Sequence, residues 1–101
     1  MNDIFDDRLV ALRQRFRDRA AAQSAVLEGI VSDLEGGVPR AQLGAGIRRI
    51  AHSLAGAGAT FGFPGIGACA AELDEFVSDA PDSPELAGAC RALIAEIRRS
   101  L

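Results

Sequence analysis

The chain has no lysine, no tryptophan and no tyrosine, and only one histidine and two cysteines among its 101 residues. Each shortage removes a class of chemistry. Without lysine there is no phosphate-binding P-loop, no kinase catalytic lysine and no Schiff base, which takes away most ATP-using enzymes. One histidine forbids a multi-histidine metal site. Two cysteines 21 positions apart, outside any metal-type spacing, give neither a zinc module nor a disulfide scaffold, and they fit a reducing cytoplasm. Positive charge is also in deficit. Eleven arginines against fourteen acids leave a net charge of −3 and a pI of about 5.0, which argues against nucleic acid or an anionic membrane held by bulk charge. Met1 to Asp7 is acidic where an export signal needs a basic region followed by an apolar one, so a cytoplasmic protein is expected.

What is present is helix-forming. With 49% apolar and 25% charged residues, the composition describes one small globular domain over residues 1–101. Ile50 to Ala71 carries no formal charge for 22 residues, but five glycines, seven alanines, Pro64 and His52 leave only five large apolar side chains. That composition predicts a tightly packed helix pair with a turn, not a membrane span. Proline at the first helical position predicts helix starts at Pro39, Pro64 and Pro84. Gly36-Gly37 closes the region before the first of these, and Asp79 to Ser83 supplies a stop and a cap before the last.

The region from Asp3 to Glu35 places Phe5, Leu9, Leu12, Phe16, Ala20, Leu27, Ile30 and Leu34 at spacings of three, four or seven, a single apolar stripe. The alanine run near Ala20 and Gly29 leave open whether this is one helix or two. A second helix over Pro39–Thr60 carries Leu43, Ile47, Ile50, Leu54, Ala57 and Phe61; a third over Pro64–Ser78 uses Ile66, Cys69, Ala70, Leu73, Phe76 and Val77; a fourth over Pro84–Ser100 uses Leu86, Cys90, Leu93, Ile97 and Leu101. Four single-stripe helices with short connections predict an all-α, antiparallel up-and-down four-helix bundle. Cys69 and Cys90 fall on the stripes and are expected to be core thiols.

Setting Leu43 at zero and advancing ~100° per residue, the second helix keeps its apolar stripe within about 40° of that direction, while His52 falls at about 180°. His52 therefore points away from the core. It shares its face with Ala45, Arg48, Arg49, Ala55, Gly56 and Ala59, two cations among very small side chains. Glycine in a helix interior costs about 1 kcal/mol against alanine, so this is not the glutamate- and glutamine-rich face of an ordinary solvated helix. Small residues around an exposed imidazole suggest that something approaches it closely. A neutral imidazole is a competent nucleophile near neutral pH and can carry a phosphoryl group. Arg48 and Arg49 lie one turn back, so their guanidinium groups can reach a phosphoryl on the ring. At ~8 Å each contributes about 0.5 to 2 kcal/mol per unit charge.

The run His52-Ser53-Leu54-Ala55-Gly56, with Gly62 ten residues after the histidine, resembles the signature of the histidine-containing phosphotransfer (HPt) domains of bacterial phosphorelays, His-x-Leu-Lys-Gly followed by five residues and Gly. Cys69-Ala70-Ala71-Glu72-Leu73-Asp74 is similar to that family's Cys-x-x-Leu-Glu helix, shifted by one. The resemblance implies a bundle whose exposed His52 accepts a phosphoryl group on Nε2 from a receiver-domain aspartate and passes it to another receiver. It implies Gly56, Ala45, Ala55 and Ala59 as the docking surface, and Leu54 and Gly62 as motif and turn positions. It implies response-regulator receivers, and a hybrid histidine kinase, as partners. No cofactor is implied on this chain, since the receiver brings the aspartate and Mg²⁺. The family's lysine is replaced by Ala55, so Arg48 or Arg49 would have to supply the missing cation.

Two other readings compete. One is an adaptor of the same fold that binds a receiver or kinase and carries no phosphate. The other is the dimerisation region of a histidine kinase, which builds its four helices from two chains. One chain here already supplies four stripes, so a monomer is expected. Gly65-Ile66-Gly67-Ala68-Cys69-Ala70 fits a loose dinucleotide pattern, but no strand precedes it. Arg13, Arg15, Arg17 and Arg19 are expected on a solvated helix face.

Overall fold

The computed structural model describes residues 3–101, apart from the side chains of Asp3 and Phe5. The expected place of Phe5 on the stripe therefore lies outside the described residues. Four helices follow one another: α1 (Asp3–Glu35), α2 (Arg40–Ala57), α3 (Pro64–Asp79) and α4 (Leu86–Ser100), with no strand among the described residues. Neighbours in sequence are neighbours in space. α2 packs most extensively on α3, α4 closes against both α3 and α1, and α1 runs more lightly along α2. Cross-helix neighbours run in opposite orders along the seams, Gly58 beside Gly67 and Arg48 beside Asp74. The result is the antiparallel up-and-down bundle that the four stripes predict.

α1 is a single helix through both the alanine run and Gly29, so the division left open by the sequence does not occur. At about 1.5 Å per residue its 33 residues make it roughly twice as long as α4, and the molecule measures 55 × 22 × 20 Å. About the first three turns of α1, before Arg13, project beyond the bundle. Leu9 and Leu12, expected in the buried stripe, are therefore exposed, as are Ile4 and Val10. The stripe enters the core at Phe16 and continues through Ala20, Leu27 and Val31, the last outside the stripe expected from the spacing.

Two of the three prolines expected at first helical positions are not there. Pro64 does open α3. Pro39 instead holds the N-cap of α2 with an extended ψ of 133°, and Pro84 lies in the turn before α4, which starts at Leu86. In that turn the Ser83 hydroxyl accepts from the Glu85 N–H at 3.1 Å. α2 ends at Ala57, not Thr60, and Phe61 belongs to the turn that follows.

That turn is where α1 is tied to the bundle. Phe16 lies with its ring centroid 5.4 Å from Phe63 and 6.0 Å from Phe61, and Arg13 Nε donates to the Phe61 carbonyl at 3.1 Å. Gly62 takes a φ of +90°, a left-handed conformation that a side chain disfavours and that lets the chain reverse between the two phenylalanines. At the start of the turn Gly58 lies against Gly67. A Cβ on Gly58 would stand 2.6 Å from the Gly67 nitrogen and 2.9 Å from the Phe63 carbonyl oxygen. The α2–α3 approach thus depends on the absence of a side chain at Gly58.

Candidate functional site

The buried stripe of α2, with Ile47, Ile50, Ala51 and Leu54 facing inward, sends His52 outward as the wheel predicts. Its side chain is 84% exposed. It stands over a shallow depression of about 400 Å³ lined by Ala45, Arg48, Arg49, His52 and Asp74. Ala45, Arg48, Arg49, Gly56 and Ala59 are exposed, and a Cβ on Gly56 would meet nothing within 4 Å. Ala55 differs from expectation in degree: it is half-buried and packs against the core beside α3, so it lies at the edge of the face and not at its centre. Leu54 is wholly buried and Gly62 sits in the turn, both structural in this fold.

The structure adds one residue to which the sequence assigned no role. Asp74, on α3, reaches under the imidazole: Nδ1 of His52 is 3.5 Å from Asp74 Oδ2, and Nε of Arg48 is 3.6 Å from Asp74 Oδ1. The carboxylate is only 25% exposed, and Oδ1 is cut off from water without a hydrogen-bond partner. The signal available in the sequence was an acid directly after Leu73 on the stripe of α3. Nothing in the sequence fixed the register of α3 against α2, so the pairing could not be read.

Chemically, a carboxylate 3.5 Å from Nδ1 favours the tautomer with its proton on Nδ1 through the attraction between that N–H dipole and the negative charge, without a formed hydrogen bond between them. The lone pair is left on Nε2, on the far side of the ring. The other nucleophiles are less available. Cys90 is buried and its thiol is pushed up to about 11 by that burial; burial also raises the half-buried Cys69 thiol, with Glu72 and Glu96 adding to it. Both stay protonated near neutral pH. Among the described residues no three metal-type side chains converge, and no helix is long and apolar enough to cross a membrane.

A four-helix bundle that holds one imidazole out to solvent, with its Nδ1 against a carboxylate and small side chains around it, has the form of a phosphoryl-carrier domain. The Hpt domain family model matches residues 11–100, and the chain belongs to that family, which serves phosphotransfer in two-component systems and interacts with receiver domains and kinases. Nothing among curated proteins or solved structures matches the chain.

Proposed function

We propose that this protein is a phosphorelay intermediate, a cytoplasmic monomer that carries a phosphoryl group on His52 between receiver domains. What supports the reading above all is the setting of His52, exposed on α2 with Nδ1 directed at Asp74. In the forward step the Nε2 lone pair attacks the phosphorus of a receiver's aspartyl phosphate. The P–N bond forms, the P–O bond breaks, and the receiver's carboxylate leaves with the bonding pair. The Nδ1 proton stays in place, so the phosphorylated ring is cationic at first and Asp74 lies beside that charge. In the reverse step the protonated ring is the better leaving group, which lets the same site donate to a second receiver. Arg48 and Arg49 are the candidates for balancing the phosphoryl charge, in a chain where Ala55 stands in place of a lysine. Ala45, Gly56 and Ala59, with Ala55 at the edge, leave room for the incoming receiver. The receiver supplies Mg²⁺, and this chain needs no nucleotide or cofactor.

The test is to mix the protein with a panel of phosphorylated receiver domains and Mg²⁺ and follow label that is acid-labile and base-stable. Label on the wild type and none on His52→Gln is expected. If no receiver labels the wild type although one still binds it, the protein is an adaptor that keeps the bundle for docking alone.

A further inference from the structure

The two arginines beside His52 sit differently, and the difference divides their work. Arg48 and His52 are one turn apart on α2 and both face α3, where each meets one oxygen of Asp74. Arg49 is turned about 100° round the helix from Arg48. It lines the same depression but has no carboxylate within ion-pair distance among the described residues.

Resting on the reading of His52 as the phosphoryl carrier, we infer that Arg48 is a positioning residue that acts on the imidazole through Asp74, while Arg49 alone is the cation that meets the transferring phosphoryl group.

The buried oxygen carries the first half. A carboxylate oxygen removed from water and without a hydrogen bond is costly unless a charge or donor faces it. Asp74 Oδ1 has no access to water and no hydrogen-bond partner, and the group that faces it is the Arg48 guanidinium. Arg48 thus holds the Asp74 carboxylate in one orientation, and that orientation places Oδ2 3.5 Å from Nδ1 of the ring. Were Arg48 to swing toward a phosphoryl on Nε2, it would leave Oδ1 buried with nothing opposite it. The second half follows from what Arg49 lacks. It gives up no partner when it turns to the ring, and a guanidinium at that edge can take two phosphoryl oxygens at once. It therefore supplies, from the turn before His52, the charge that Ala55 does not supply from the turn after.

The decisive experiment combines ¹⁵N NMR of the His52 ring, which reports the tautomer, with the rate of transfer from the receiver that labels the wild type. Four variants are needed: Arg48→Ala, Arg48→Lys, Arg49→Ala and Arg49→Lys. Arg48→Ala should lose the Nδ1–H tautomer's predominance and slow transfer about tenfold, and Arg48→Lys should recover most of both, since an ammonium can face the same oxygen. Arg49→Ala should leave the tautomer as in the wild type and slow transfer at least about tenfold, with partial recovery in Arg49→Lys. A slow Arg48→Ala whose tautomer is unchanged overturns the positioning role and returns Arg48 to the phosphoryl group. A tautomer shift in Arg49→Ala, or transfer at the wild-type rate, overturns the division from the other side. The tautomer is read without any phosphate present, so failure of the wild type to accept label would overturn the carrier function and Arg49's part in it while the ring spectra still decide Arg48's.

Discussion

The α2–α3 seam and the α1–α4 seam hold the same bundle together by different means. Along α2–α3 the backbones come together at Gly58 and Gly67, Gly44 lies near Val77, and charged groups of the described residues meet at the cluster of Arg48, His52 and Asp74. Along α1–α4 charge is spent freely: Arg91 pairs with Glu35, Arg98 with Glu28, and Arg17 donates to the Leu101 main-chain oxygen at 2.8 Å. These pairs are well exposed, and none of their atoms lies near the depression around His52. The contrast separates adhesion from chemistry. Where helices adhere by close backbone contact and buried apolar side chains, a charged cluster at the surface of the seam is free to respond to a ligand. Where charges bridge two helices in water, each contributes little and does no further work.

The largest test of this contrast is made with two glycines two positions apart. At Gly58 an added Cβ meets backbone atoms of Gly67 and Phe63, which cannot rotate away, so Gly58→Ala must force α2 and α3 apart. Overpacking of this kind costs about 1 to 3 kcal/mol, and for a domain of this length the melting temperature falls about 4 to 8 °C for each kcal/mol. At Gly56 nothing lies within 4 Å. Gly56→Ala should stabilise the fold by about 0.5 kcal/mol through the unfolded chain's lost freedom, while placing a methyl group on the face that a receiver would approach. Thermal melts of the two variants should therefore move in opposite directions. Equal melting temperatures would mean that the seam relaxes, and that close backbone approach is not what holds α3 and Asp74 in place.

How much of this was legible in the sequence divides along the same line. Periodicity within one helix was enough to place Ile47, Ile50 and Leu54 inside and His52 outside, because a helix's own geometry decides that question. Periodicity says nothing about where a partner helix stops. Leu9 and Leu12 continue the stripe of Phe16 and Ala20, yet they are exposed, because the α2–α3 turn meets α1 at Arg13 and Phe16 and no helix among the described residues buries the turns before it. The prolines misled for a related reason: a fixed φ suits a first helical position but also suits the extended N-cap at Pro39 and the turn at Pro84. Asp74 was hidden in the relation between two helices, which short-range spacing does not encode.

A smaller effect is expected from α4, the helix shared by the ionic seam and the core. The Cys90 thiol is fully buried and pushed up to about 11 from an ordinary 9.0. Between those values the unfolded chain has released its proton and the folded chain has not, so the unfolded state binds fewer protons and stability falls as pH rises. The contribution is fully present below pH 9.0 and is lost progressively up to about 11, to an extent of at most about 3 kcal/mol. Urea melts across that window should show the decline in the wild type. Cys90→Ala should start lower, from the lost volume, and decline less steeply, the remaining slope coming from the half-buried Cys69 thiol, which is also raised. A wild type with the same slope as the variant would mean that α4 opens readily enough to hydrate the Cys90 thiol, and that the α1–α4 side is looser than its buried residues indicate.

The smallest effect belongs to the ion pairs themselves, and it decides whether they adhere at all. Arg98 and Glu28 pair across α1–α4 with both side chains well exposed, so their attraction is set against hydration and the cost of holding two long side chains in one geometry. A double-mutant cycle with Arg98→Ala and Glu28→Ala should return a coupling below about 1 kcal/mol, and at 1 M salt, where the screening length is about 3 Å, it should shrink toward zero. The buried Leu27, Val31, Leu93 and Ile97 would then hold the two helices, with charge serving register more than strength. A coupling of several kcal/mol that survives high salt would reverse the comparison between the seams. Arg48 and Asp74 would then have to be read as one more fastening, and Arg48→Ala would lower the melting temperature before it slowed any transfer.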